Sequence, residues 1–106
     1  PLPIYQEALV ALADEALEKG EVDAGIAMCG TGNGMAMCAN KHANVRAALC
    51  WNHDIAALAR QHNDANILAM GARVVGEGLA IKIVDTFLET PFSNAANHVR
   101  RIGKMS

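Results

Sequence analysis

The chain has 106 residues, 52% of them apolar and 19% charged, with a net charge of −2. That is ample surface for one hydrophobic core and too little chain for two, which excludes intrinsic disorder and a two-domain layout. The charge balance excludes a generally basic nucleic-acid binder, and no apolar run approaches the roughly 18 residues of a membrane span.

Aromatic residues make up only 4%, so the core must be built from Ala, Leu, Ile, Val and Met. Cys29, Cys38 and Cys50 are odd in number and uneven in spacing, which is no disulfide framework; reduced thiols in a cytoplasmic protein are the expectation. No charged-then-apolar leader opens the chain. It begins Pro1-Leu2-Pro3 without Met, as a fragment or processed product would.

Residues 4–19 place Tyr5, Leu9, Leu12 and Ala16 on one stripe with acids mostly opposite, an amphipathic helix ended by Gly20. Residues 24–28 (AGIAM) are a short apolar run of the kind a buried parallel strand shows. A glycine-rich turn follows and leads into a helix through about Lys41. Residues 46–50 (RAALC) read as a second strand, Asp54 to Gln61 as an Ala- and Leu-rich helix closed by His62-Asn63-Asp64, and residues 66–70 (NILAM) as a third strand. His53 and Asp54 stand at the start of that helix, with Asp54 as its expected cap. Glu77 to Glu89 is a helix with Leu79, Ile83, Val84 and Phe87 inward, and Pro91 follows it. Ser93 or Asn94 then caps a last helix. That segment, 93–106, holds Arg100, Arg101 and Lys104 and no acid, leaving a net −5 on residues 1–92. A solvated helical face and a local anion site both fit it.

Helix followed by three strand–helix units is the rhythm of an α/β domain with a parallel sheet. Ligands in such sheets sit beyond the carboxyl ends of the strands, where residues 29–34, 51–54 and 71–76 fall. Three strands are a thin sheet, so a partner subunit or further strands should cover the open edge.

Gly30-Thr31-Gly32-Asn33-Gly34 follows a strand and opens a helix. Glycines there allow positive φ and close approach of the backbone, and successive N–H groups make an anion cradle. A dinucleotide fingerprint fails at Met35, and the Gly-Lys-Ser/Thr of a P-loop is absent, which disfavours a nucleotide-binding protein. Cys29, just before the cradle, is either inert packing or a thiol whose thiolate is favoured by the helix terminus. Cys38 and Cys50 read as core. Cys38 and His42 stand four residues apart, but no second pair completes a tetrahedral site, so no metal is expected. His62 either satisfies the carbonyls of its helix end or transfers protons.

The segments IAMCGTGNGMAMCANK, RAALCW, ARQHNDANILAMGARVVG and IVDTFLETPF closely resemble the type B ribose-5-phosphate isomerases, of the ribose/galactose sugar-phosphate isomerase family, from Pro3 onward. The resemblance implies a Rossmann-like three-layer α/β/α fold, with three of the family's five strands in this chain. It implies a metal- and cofactor-free aldose–ketose isomerase. Cys29 is then the base that takes the C2 proton, Thr31 offers its hydroxyl to the enediolate, and the amides of Gly30, Gly32, Asn33 and Gly34 stabilise it. His62 opens the sugar ring, Asn63 binds sugar, and Arg73 and Arg101 bind phosphate. The basic tail reaches a neighbouring subunit, so a homodimer or dimer of dimers with shared sites is implied.

The chain departs from the family at several positions. Some members place a Glu where this chain has Met35. Another phosphate Arg falls at Asn97, a loss on the order of 1.5–3 kcal/mol of phosphate binding unless Arg100 substitutes. The family's first strand–helix–strand unit, with an Asp-His pair, would precede Pro1. A non-catalytic ligand-binding or assembly subunit of the same fold is therefore the rival expectation. Ribose 5-phosphate is the leading substrate, with pentose and hexose phosphates alike at the reacting carbons.

Overall fold

The computed structural model describes residues 15–17 and 19–105. Most of the expected first helix, 4–19, lies outside them; residues 15–17 are helical. Gly20, at φ 72°, ends this turn: Glu21 N–H donates to Ala16 C=O at 3.0 Å and Gly20 N–H to Leu17 C=O at 3.2 Å. That pair of bonds is a Schellman cap, which needs the left-handed residue that glycine supplies most cheaply.

Three strands follow: β1 (Gly25–Cys29), β2 (Ala47–Leu49) and β3 (Ile67–Gly71). They form one parallel sheet in the order β1-β3-β2, with Cys29 level with Gly71 and Leu49 level with Ala69. The observed strands start one residue later than the apolar runs suggest. Arg46 and Asn66 stay outside the ladder because Asn66 Oδ1 accepts the Arg46 N–H at 2.8 Å and its amide donates to Asn44 C=O at 2.7 Å. These bonds tie the loops into β2 and β3 together.

The helices are α1 (Asn33–Ala39), α2 (His53–Asn63), α3 (Glu77–Glu89) and α4 (Ala96–Met105). β3 is the central strand and is buried along its length. Side chains alternate across a strand, so Ile67 packs with Met35, Ala39 and Val45 on the α1 side, while Leu68 and Met70 pack with Ala56, Ala59, Ile83 and Phe87 on the other. Helices thus cover both faces, as expected of an α/β layer structure. Edge strand β1 leaves Ile26 and Met28 half exposed.

Three local expectations need correction. Leu79 is 38% exposed rather than inward. The buried stripe of α3 runs through Ala80, Ile83, Val84 and Phe87, and Leu79 sits at its margin, about 100° round the helix from Ala80. The cap of α2 is Asn52, not Asp54: Asn52 Oδ1 accepts Ile55 N–H at 2.8 Å. Asp54 lies in the first turn, 3.4 Å from His53 Nε2. Neither Ser93 nor Asn94 caps α4 in the usual way, since α4 begins at Ala96; Ser93 Oγ accepts the Ala95 N–H at 3.2 Å.

Candidate active site

β1 delivers Cys29 to the carboxyl edge of the sheet, and the chain then turns across the end of β3. Gly32 is what lets it turn. Its φ is 87°, and a Cβ there would lie 2.5 Å from Leu49 Cδ1 and 2.8 Å from the Met70 carbonyl carbon. Gly71 is its counterpart beneath: a Cβ there would strike the Thr31 carbonyl at 2.5 Å. Of the three loop glycines, only Gly32 adopts a positive φ.

The turn wraps the thiol in amides. Gly32 N–H donates to Cys29 Sγ at 3.2 Å. Burial pushes the thiol up, but hydrogen bonds from the N–H groups of Met35, Gly32, Thr31 and Gly34 pull it down, and the net shift is downward. Those bonds favour the thiolate because they are made to the charged form. Cys50 is the contrast: buried without such donors, its thiol is pushed up to about 11. Cys38 is partly buried against the α1-side cluster.

Thr31 and Asn33 are exposed at the loop crest. Thr31 Oγ1 accepts Asn33 N–H at 3.4 Å, which leaves the hydroxyl proton free to donate. With Leu49, Cys50, Trp51, Gly71 and Val74 they line a cleft of about 390 Å³. Arg73 comes to the same edge: its N–H donates to Gly30 C=O at 2.9 Å, and its Nε lies 3.6 Å from where a Gly30 Cβ would be. Its exposed guanidinium therefore stands over the loop. The half-exposed Trp51 is a lining residue that the sequence reading passed over, although it falls in the carboxyl-end segment 51–54.

His62, Asn63 and Arg101 are elsewhere. α2 starts past the carboxyl end of β2 and runs back for 11 residues, about 16 Å at 1.5 Å per residue. Its end lies at the amino-terminal edge of the sheet. There Asn66 C=O accepts Gly25 N–H at 2.8 Å, at the start of β1. Arg46, just before β2, donates to the carbonyls of Asn63 and Asp64 at 3.1 Å. Asp64 closes α2 with φ 46° and is gripped by Arg60 at 3.0 Å and Arg46 at 3.3 Å. Neither arginine stood out in the sequence, because an Arg on a helix face, as Arg60 is, or ahead of a strand, as Arg46 is, gives no local sign of its partner. α4 packs against this end through His98, whose ring centroid lies 4.3 Å from that of His62. Arg101 is one turn further along the exposed helix α4. The site residues named from sequence therefore form two groups at opposite edges of one chain: Cys29, Gly30, Thr31, Gly32, Asn33, Gly34 and Arg73, and His62, Asn63 and Arg101.

Among the described residues no helix is long and apolar enough to cross a membrane.

A family model described as Ribose/Galactose Isomerase matches residues 4–105. The chain belongs to the ribose/galactose isomerase family. It is 48% identical over 85 residues to ribose-5-phosphate isomerase B of Escherichia coli, covering 80% of this chain and 57% of that protein. It is 41% identical over 103 residues to D-erythrulose-4-phosphate isomerase of Pectobacterium atrosepticum, covering 95% and 67%. The type B ribose 5-phosphate isomerase of Trypanosoma cruzi superposes with a TM-score of 0.91 at 45% identity, over 94% of this chain and 67% of that one. Its kin share the Rossmann-like α/β architecture described above. The chain spans about 60% of the length of the first curated relatives it matches.

Proposed function

We propose that this chain carries the catalytic half-sites of a sugar-phosphate aldose–ketose isomerase, with ribose 5-phosphate and ribulose 5-phosphate as the leading pair. The observation that carries the reading is the Cys29 sulfur, which faces the amides of Met35, Gly32, Thr31 and Gly34, with the Arg73 side chain beside Gly30 on the same loop. A thiolate favoured by these amides takes the C2 proton of the open-chain sugar. The electrons move onto the C1 carbonyl oxygen, which becomes the enediolate oxygen. Donors aimed at that charge lower the barrier, and the Thr31 O–H and the loop amides are the donors on hand. The O2 hydroxyl proton then passes to O1, C2 becomes the carbonyl carbon as the double bond moves from C1–C2 to C2–O2, and Cys29 returns its proton to C1, leaving the ketose. No metal or cofactor enters these steps.

Arg73 supplies a phosphate ligand at the edge that carries Cys29, and Arg101, on α4 at the opposite edge, supplies one to the site of a second chain. Asn97 lies on the same exposed helix, beside Arg100 and Arg101, where the family resemblance implies another Arg. His62 opens the furanose by removing the anomeric hydroxyl proton and returning a proton to the ring oxygen, and Asn63 holds the sugar. Because these residues lie at the opposite edge from Cys29, one site needs Cys29 of one chain and His62 of another. A two-fold homodimer supplies two such sites. The family kinship to a four-carbon isomerase supports a pocket that reads the phosphate and the reacting carbons rather than chain length.

The test is conversion of ribose 5-phosphate to ribulose 5-phosphate by this chain. Cys29→Ala should lower the rate by roughly 10²–10⁴ while leaving circular dichroism unchanged. Full rate in Cys29→Ala would remove Cys29 as the base. Binding of ribose 5-phosphate without turnover of any sugar phosphate would favour a ligand-binding subunit.

A further inference from the structure

At the amino-terminal edge, α2, the 90–95 connection and α4 meet in a closed circuit of contacts. Ser93 N–H donates to Gln61 C=O at 3.1 Å. Ser93 Oγ lies 2.8 Å from His98 Nδ1. The His98 ring stacks on His62 with centroids 4.3 Å apart and planes tilted by 32°. His62 follows Gln61 in α2, which closes the loop. Arg60 fastens the same connection, its Nε donating to Thr90 C=O at 3.1 Å.

Ser93 Oγ accepts the Ala95 N–H and still has both a lone pair and a hydroxyl proton for His98 Nδ1, so it anchors the ring in either tautomer. Desolvation, followed by the charges of His62 and Arg101, holds this imidazole below its ordinary range. Without the stack, an exposed histidine at a helix end would sample several rotamers.

We propose that His98, anchored by the Ser93 hydroxyl and stacked on His62, is a positioning residue that holds the His62 imidazole for ring opening. The inference rests on the role proposed for His62. It makes a prediction that a merely structural residue would not. Ribose 5-phosphate is mostly a closed furanose and must be opened. Erythrose 4-phosphate cannot close a five-membered ring, because its O4 carries the phosphate.

The experiment compares both aldoses on the intact chain and its His98→Ala, Ser93→Ala and His98→Phe variants. α4 buries no residue and Ser93, in the connection before it, is exposed, so these changes spare the core. His98→Ala should lose on the order of tenfold in kcat for ribose 5-phosphate and little for erythrose 4-phosphate. His98→Phe, which keeps a ring in the stack, should restore most of that ratio. Equal losses on both substrates would overturn the proposal. In parallel, the His62 ring resonances are recorded by NMR without substrate. They should move in His98→Ala and Ser93→Ala, and unmoved resonances would overturn the proposal whatever the turnover. If the unaltered chain converts neither aldose, the isomerase reading fails instead, and the resonances alone decide whether His98 positions His62.

Discussion

The two best-contrasted side chains in this protein are both thiols. Cys29 sits among amide donors and Cys50 among Met70, Leu68 and Phe87, so the first is shifted down and the second up to about 11. Alkylation by iodoacetamide, followed by peptide mapping, should label Cys29 well before Cys50 in the native chain at neutral pH, and equal labelling would contradict the amide nest. The two thiols link folding to pH in opposite ways. The contribution of Cys29 is present above its ordinary value of 9.0 and fades as pH falls through its lower folded value. Cys50 works against folding as pH rises from 9.0 toward about 11, because only the unfolded chain can ionise it there. Thermal melts across alkaline pH should show Cys50→Ala losing that fall. The glycines divide in the same physical way. Gly32→Ala should cost about 1–3 kcal/mol, since it combines a positive φ with a clash against Leu49 and Met70, and would show as a lower Tm. Gly30→Ala meets Arg73 only at ordinary contact distance, so its Tm should barely change.

At the scale of elements, the order of strands and helices was legible in the sequence because apolar runs and glycine stops report local periodicity. Glu77–Glu89 was read to the residue, helped by Pro91 just past its end. The strand starts were read one residue early, since Arg46 and Asn66 are taken by side-chain bonds that span 20 and 22 residues of chain. Caps were the weakest point. Asn52, Asp54, Ser93 and Asn94 all have the right chemistry, and only the backbone path tells which oxygen reaches which amide. Asn52→Ala should therefore destabilise by about 1 kcal/mol, with Asp54→Ala close to neutral, by urea denaturation of each variant.

At the scale of the molecule, the candidate site is split. The loop and Arg73 stand at one edge of the sheet and His62, Asn63 and Arg101 at the other, and no side chain spans that distance. The proposed shared site predicts complementation. Cys29→Ala and His62→Ala chains, each inactive alone, should regain about a quarter of normal activity when refolded together in equal amounts. Half the dimers are then mixed, and each holds one intact site of two. No recovery from a pair of soluble, folded variants would place both groups in a single chain's site.

The residues by themselves determined the α/β class, the glycine turn and the chemistry on offer, because each depends on spacing within a few positions. The family resemblance added roles for Cys29, His62, Arg73 and Arg101. What only the tertiary structure decided is the company each group keeps: which amides face Cys29, which arginines grip Asp64, and that His98 lies against His62. Those are contacts between segments remote in sequence, set by the return path of α2 along a parallel sheet, and local patterning carries no record of them.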